Sequence, residues 1–387
     1  MTEIKNLKKG ALRILSAIKK NERIILYGDA DLDGITAVII LEEAIKSLNG
    51  EVAYKIFPNR EKEGYGITQE GLNLISKFSP ALLICLDLGI TNFLEIKIAK
   101  EIGFDVLVVD HHQILKKLPE ASIIVDPFQE GDKYPFKELA ACGLVFKLIE
   151  SLFELAKKKF SDLFKQNLIE LVALATLADL MPRVGENKIF IEEGISTLKN
   201  SLRPGLKTLF GLFEKETNSD NETISKIISI LNLSETSNLL PDSYLILTTS
   251  DKKQIEKLIN ETLEKAKRRN EEIKDVVNEI EKRIINKNEP IIFESDSSWS
   301  LNLIGTVASR IYGRCKKPTF IIKIDGEESR GSVRTPGSVD SVKIMAKCSS
   351  LLSMFGGHPK ASGFSIRTEN IDNFKDCLIE KLKIWKI

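Results

Sequence analysis

The sequence has 387 residues, 43% of them hydrophobic, which is enough apolar material for the cores of two or three domains. A formal net charge of +1 by itself indicates no nucleic-acid binder, but the charge is uneven, with 15 Lys/Arg against 8 Asp/Glu over residues 301–387 and 41 against 47 before them. A basic carboxy-terminal part can hold a phosphate backbone and an acidic amino-terminal part can hold cations, although ordinary surface variation also produces such differences. The five cysteines (Cys85, Cys142, Cys315, Cys348 and Cys377) are scattered without a CxxC pair, so neither a zinc knuckle nor a disulfide framework is expected. The amino-terminal stretch is charged and amphipathic, with no apolar core of a signal peptide, and no run is apolar for long enough to span a bilayer. These features predict a cytoplasmic protein with no membrane partner.

In chain order, apolar runs at Arg23–Tyr27, Val52–Phe57, Ala81–Leu86, Val106–Val109 and Ile123–Val125 read as buried strands. Helical stretches such as Thr36–Ser47 and Phe93–Glu101 lie between them. This rhythm predicts a parallel sheet covered by helices on both faces, with any ligand at the carboxyl ends of the strands. Residues 137 to about 240 read as mainly helical, with segments near Leu144–Lys158, Leu163–Leu177 and Ile224–Leu231. Residues 251–287 contain no Pro or Gly and are rich in Glu, Lys and Ile at helical spacing. That polar surface fits a helix bridging two domains, with a coiled-coil dimerisation helix as the alternative. From Pro290 the pattern returns to short strands and helices (Pro290–Phe293, Leu303–Tyr312, Thr319–Ile324, Ser329–Arg334, then GGHPKASGFSI), a second α/β domain.

The chemistry is concentrated at strand ends. The run RIILYGDADLDGITA leads a strand into Asp29, Asp31 and Asp33. On an extended segment alternate residues point the same way, so the three carboxylates converge. Like charges so placed repel unless cations neutralise them, and hard oxygen ligands suit Mg²⁺ or Mn²⁺. An acidic turn built on Asp33-Gly34 is the competing reading. An EF-hand loop fails, because Ile40 stands where its last ligand, a Glu, is needed. A second strand ends in Asp87, and a third in Asp110-His111-His112, which holds two of the three histidines in the chain. Asp179 closes the apolar helix LVALATLADLMP, where a capping acid would look the same. Mixed carboxylate and imidazole ligands favour Mn²⁺ over Mg²⁺. Two such ions roughly 3.5–4 Å apart would activate a water and neutralise a phosphoryl transition state. No GxSxG elbow, Walker loop or GxGxxG is present.

Together the segments GDADLDG, NREKEGYGIT (59–68), ICLDLGI, VVDHHQ, ALATLADLMPRVGENK, SLRPGLKTLF, VASRIYGR, RGSVRTPG and GGHPKASGF make most of the chain resemble the DHH phosphoesterase superfamily, and within it the RecJ-like single-strand exonucleases. The resemblance implies an α/β fold. A parallel-sheet DHH domain over residues 1–249 is joined by a bridging helix, 250–289, to a smaller DHHA-type α/β domain that holds substrate, 290–387. It implies a two-metal phosphodiesterase, loaded with two Mn²⁺ or alternatively Mg²⁺, that degrades single-stranded DNA or RNA from the 5′ end in repair or replication. One ion would be held by Asp31 and Asp87, and the other by Asp33, Asp87, His112 and Asp179. Asp29 would be an additional ligand or lie just behind the ligands, Asp110 would orient a histidine, and His111 would face the scissile phosphate. His111, Asp87 and Asp110 are thus the expected catalytic set. Arg60, Ser332 and Arg334 would grip a 5′ phosphate. Gly356, Gly357 and His358 would meet the strand backbone, and Arg268 and Arg269 on the bridging helix would face it. Tyr27 departs from members that carry a histidine there. Some twenty residues follow GGHPKASGFSI, so the expectation is a catalytic core without the OB-type domain of bacterial relatives, as in archaeal relatives associated with the GINS replication complex.

Two other readings stay open at this stage. One is a phosphodiesterase of very short oligonucleotides or cyclic dinucleotides. The other is a replisome subunit, binding GINS or a related protein, without catalysis. The filled metal positions argue against the second as a sole role, and NREKEGYG and RGSVRTPG favour the exonuclease over the first.

Overall fold

The structure is a computed structural model that describes residues 3–60, 62–114, 117–233, 240–287 and 289–383. The chain divides into two compact units, residues 1–264 and 265–387. The division falls inside one long helix.

The first unit begins α1 (Leu7–Lys19), β1 (Ile24–Gly28), α2 (Leu32–Ser47), β2 (Tyr54–Ile56), α3 (Gln69–Ile75), β3 (Ala81–Leu86), α4 (Phe93–Ile102), β4 (Phe104–Val109) and β5 (Ile123–Val125). The strands form one parallel sheet in the order β2-β1-β3-β4-β5. Strands β1 and β3 are buried along their whole length, as the near-continuous apolar runs require when helices cover both faces. Ile25, Tyr27, Leu83, Cys85, Val106 and Val108 pack on one face against Leu72 and Ile75 of α3 and Ile96 and Ala99 of α4. The alternate residues face α1, α2 and α5 (Ala141–Leu155); a Cβ on Gly10 of α1 would touch Leu107, Val125 and Leu148.

Helices α5, α6 (Asp162–Ala178), α7 (Gly185–Leu198), α8 (Pro204–Phe213), α9 (Asp220–Leu231) and α10 (Asp242–Thr248) complete this unit. Helix α11 (Lys252–Ile284) straddles the division, with Ile255 and Ile259 buried near its start and Ile273, Val277 and Ile280 in the core of the second unit. That unit adds β6 (Ile292–Asp296), α12 (Leu301–Cys315), β7 (Thr319–Lys323), β8 (Glu328–Arg334), α13 (Ser341–Lys347), β9 (Leu352–His358), β10 (Ala361–Arg367) and α14 (Ile371–Lys383). Its sheet runs β6-β7-β8-β10-β9, parallel only between β6 and β7. Among the described residues no helix is long and apolar enough to cross a membrane.

Two expectations need correction. Cys348 and Cys377 form a disulfide, with their Cα atoms 6.2 Å apart. They are 29 residues apart in sequence, and only the packing of α13 on α14 brings them together, which spacing alone does not reveal. The DxDxD segment is not extended throughout. Asp29 and Asp31 are, but Asp31 caps α2 by accepting from the Gly34 N–H at 3.1 Å, so Asp33 and Gly34 are already helical.

The glycine in the first turn of this helix is required for space. A Cβ on Gly34 would lie 2.5 Å from the Asp29 carbonyl oxygen and 2.6 Å from the Asp29 nitrogen, backbone that cannot yield. Gly211 in α8 has nothing within 4 Å of the same position. In urea titrations Gly34→Ala should destabilise the protein by about 1–3 kcal/mol, whereas Gly211→Ala should stabilise it by about 0.5–1 kcal/mol through helix propensity. Equal effects of the two substitutions would show that the close approach of α2 to the end of β1 is misplaced.

Candidate metal centre

Every strand from β1 through β5, except the edge strand β2, ends in an acid. The ladder hydrogen bonds continue one residue past each strand: the Asp29 N–H donates to Leu86 O, the Asp87 N–H to Val109 O and the Asp110 N–H to Val125 O. Asp29, Asp87, Asp110 and Asp126 therefore stand side by side along the carboxyl edge of the sheet, where such folds place their ligands. Asp126 was not among the expected site residues, although SIIVDP follows the same pattern of an apolar strand running into an acid. It is fully buried; one carboxylate oxygen accepts from the Phe128 N–H and the other has no hydrogen-bond partner among the described residues.

Further carboxylates enter from helices. Asp33 projects from the first turn of α2, and its two oxygens accept from the Ala141 and Cys142 N–H groups at 2.7 Å each. These are free donors at the start of α5, whose N-cap, Ala140, supplies no side chain. The sheet-edge helix is thus aimed by a helix more than a hundred residues later, through backbone groups that leave no mark in the side-chain sequence. Asp179 caps the carboxyl end of α6. Asp87 has φ 63°, a left-handed conformation that a residue with a side chain adopts at a cost and that re-aims its carboxylate off the line of β3. Among the described residues its buried Oδ1 accepts no hydrogen bond.

The resemblance gives the ligand role to His112, but His111 lies within reach of more of the carboxylates. His111 is buried, and its Nε2 lies 3.2 Å from Asp87 Oδ1, 3.6 Å from Asp33 Oδ2 and 3.6 Å from Asp179 Oδ2. His112 turns aside, its Nδ1 2.8 Å from Asp110 Oδ1 and 4.0 Å from Asp87 Oδ1. The reason is local. Asp110 is fixed by the N–H groups of Ile90, His111 and His112, and the next ring that can reach its Oδ1 is that of His112. Asp33, Asp87 and His111 offer ligand atoms close enough to hold one ion; so do Asp29, Asp31 and Asp87, and so do Asp87, Asp110 and His112, with Asp87 in all three groups.

Arg60 is also in this cluster. Its Nη2 lies 2.6 Å from Asp29 Oδ2 and 2.9 Å from Asp31 Oδ2, and its Nε donates to Asp29 Oδ1 at 3.0 Å. Tyr27, where some family members have histidine, is a core residue. Its hydroxyl accepts from the Thr68 N–H, and the Thr68 hydroxyl donates to Glu63, which ties down the loop carrying Arg60.

The remaining expected residues belong to the second unit. Cross-strand register puts Ser332, Gly363 and Gly356 in one row and Arg334, Ala361 and His358 in the next, all on one face of the sheet. Arg334 is held by Ser309 of α12, Ser332 and the Val333 carbonyl. Gly357 faces the other way, with φ 119° and a close approach to Ser362, so its requirement is hairpin packing and not access for a ligand. Arg268 is exposed, and Arg269 donates to Asn302 O.

Electrostatics follow from this crowding. Burial raises the Asp33, Asp87 and Asp179 carboxyls, and their neighbouring acids raise them further. Asp31 goes to about 2: burial works against ionisation, but the charge of Arg60 and the Gly34 N–H outweigh it. Burial disfavours a charged His112, yet the Asp110 carboxylate raises it to about 10. Burial and the Asp110 charge push Asp126 up to about 8. A carboxyl raised in the folded state favours folding below its ordinary value, about pH 4, and that advantage is lost as pH rises through the folded value. Asp31 has the opposite sign and loses its contribution as pH falls towards 2. In EDTA the melting temperature should therefore fall between about pH 5 and pH 8, and Asp87→Asn should remove much of the fall. A flat profile in the unsubstituted protein would contradict the crowding of these acids.

Comparison with known proteins accords with this geometry. Residues 23–176 match the DHH family, N-terminal domain, and residues 288–384 match the DHHA1 domain. The single-stranded-DNA-specific exonuclease RecJ of Bacillus subtilis (strain 168) is 32% identical over 384 residues, covering 98% of this chain and 48% of that protein. RecJ of Thermus thermophilus is 27% identical over 376 residues, 96% of this chain and 54% of that one. The chain thus spans about half the length of these curated relatives. The crystal structure of an exonuclease RecJ bound to manganese has a TM-score of 0.78 at 26% identity, covering 98% of this chain and 94% of that one. With both domains matched and the acids of each motif gathered at one sheet edge, the chain belongs to the DHH family, and over nearly its whole length it is similar to the RecJ exonucleases.

Proposed function

We propose that this chain is a divalent-metal-dependent exonuclease that shortens single-stranded DNA from its 5′ end. The observation that carries the proposal is the position of Asp87, a buried, strained carboxylate shared by three candidate ligand groups. The donor set of carboxylate oxygens and one imidazole suits Mn²⁺, with Mg²⁺ the harder alternative. Asp29, Asp31 and Asp87 would hold one ion, and Asp33, Asp87, His111 and Asp179 the other, which moves the ligand role from His112 to His111. Two ions so held would polarise a water for attack on a phosphodiester and screen the charge that develops on it. Asp33 is kept in position by the Ala141 and Cys142 N–H groups. His112, charged by its pairing with Asp110, is the group proposed to face the scissile phosphate.

The second unit is proposed to hold the strand. Gly356, Gly363 and Ala361 leave an almost side-chain-free strip beside Ser332, Arg334 and His358, over which a sugar–phosphate backbone can approach closely. Arg334, pre-set by Ser309 and Ser332, is the proposed anchor of a 5′ phosphate, since a guanidinium meets phosphate oxygens in a fork. The manganese-bound RecJ structure supports the metal half of this reading, and the single-stranded-DNA-specific RecJ relatives support a single-strand substrate.

Strands labelled at either end, with Mn²⁺, Mg²⁺ or EDTA, test it. Label at the 5′ end should be released first, and EDTA should stop release. Asp87→Ala should lower the rate by on the order of a thousandfold or more, the several kcal/mol that a bridged pair of ions supplies. Arg334→Ala should reduce the preference for a 5′ phosphate over a 5′ hydroxyl by roughly ten- to a hundredfold. Hydrolysis in EDTA would overturn the metal assignment. Shortening from the 3′ end would overturn the polarity and favour a phosphodiesterase of short oligonucleotides.

A further inference from the structure

The oxygens of Asp29 and Asp31 are not equivalent. Asp29 Oδ1 accepts from the Ala30 N–H and Asp31 Oδ1 from the Gly34 N–H. The remaining two, Asp29 Oδ2 and Asp31 Oδ2, converge on a single nitrogen, Nη2 of Arg60. An ion that draws on this pair of oxygens needs the position that the nitrogen holds. The guanidinium is largely buried and lies over the Tyr65 ring, 5.0 Å from its centroid. Its loop is fastened at Thr68 by Tyr27 and at Ile67 by Asn92, which accepts from the Ile67 N–H and donates to the Ile67 carbonyl. This is a well-supported cation, held by charge-assisted bonds that outlast solvent competition better than surface pairs do.

We infer that Arg60 is a built-in competitor for the metal at the Asp29/Asp31 half of the centre: it neutralises these two acids until a divalent ion displaces it, and displacement frees its guanidinium for a phosphate. The inference deepens the two-ion reading of this site. It gives Arg60 two stations in place of the single phosphate-gripping role that the sequence suggested. Because the two events share one side chain, they are coupled in a definite direction. A phosphate that draws Arg60 away from Asp29 and Asp31 must raise metal affinity there, and the metal must raise phosphate affinity by the same factor.

The test is Mn²⁺ titration by calorimetry, with free Mn²⁺ followed by electron paramagnetic resonance, in the full chain without nucleic acid. The binding event that Asp31→Asn abolishes marks this half of the site. Arg60→Gln should tighten that event by roughly ten- to a hundredfold, the equivalent of one or two charge-assisted bonds no longer to be broken, and Arg60→Lys should fall between. In the unsubstituted protein a 5′-phosphorylated dinucleotide should tighten the same event, whereas its 5′-hydroxyl counterpart should not. Because the dinucleotide arm needs no substitution, it decides the matter even if Arg60→Gln folds poorly. Equal or weaker Mn²⁺ binding in Arg60→Gln, or no difference between the two dinucleotides, would overturn the inference while leaving the two-ion reading intact. The absence of any Mn²⁺ binding in the unsubstituted protein would instead overturn that reading.

Discussion

Repulsion among buried carboxylates is the constraint around which the first unit is arranged. Asp29, Asp33, Asp87 and Asp110 are all nearly inaccessible, and Asp31 and Asp179 adjoin them. A protein cannot collect such charges at low dielectric without partners or cations. The partners are visible: helix-start N–H groups on Asp33, loop N–H groups on Asp110, the guanidinium of Arg60 on Asp29 and Asp31, and the His111 ring among Asp33, Asp87 and Asp179. Asp87 bears several of these costs at once. It combines a left-handed backbone, a buried oxygen that accepts no hydrogen bond from the described residues and a carboxyl raised by burial and by its acidic neighbours. Strain and unsatisfied charge concentrated at one residue are tolerated where they serve a site.

The scaffold explains how the acids can be held so close. Parallel strands in register deliver one residue each to the same edge, and the ladder runs one bond beyond the strands to lock those residues in line. Helices on both faces seal the sheet, so its edge cannot relax by letting water in between the strands. The second unit uses a different device. Its sheet buries Phe320, Val333 and Phe364 on one side, whereas the other side carries Gly356, Gly363 and Ala361 beside Ser332 and Arg334. Glycines on a strand weaken its packing, and they are placed where a backbone can come close.

Much of this was legible in the sequence because the signal is simple: an apolar strand followed at once by an acid. That pattern located Asp29, Asp87 and Asp110, and applied once more it would have located Asp126. It was less informative where conformation changes within a motif. The DxDxD run looks extended to Asp33, but Asp31 caps a helix there, so α2 begins at Leu32 and not near Thr36. Adjacent histidines point in different directions, and which of His111 and His112 faces the acids depends on which ring reaches Asp110. The Ala141 and Cys142 N–H groups that aim Asp33 are backbone, and no side chain announces them. The resemblance offered Arg60 only as a candidate phosphate ligand, and its pairing with Asp29 and Asp31 depends on the course of the loop. The Cys348–Cys377 pair likewise depends on how two helices pack.

The central claim is that Asp87 is shared by two divalent ions at this edge. Anomalous scattering from crystals of the full chain grown with Mn²⁺ tests it most directly. The account predicts two peaks with Asp87 in contact with both, Asp31 in contact with one, and His111 and Asp33 in contact with the other. A single peak, or two that do not share Asp87, would contradict it.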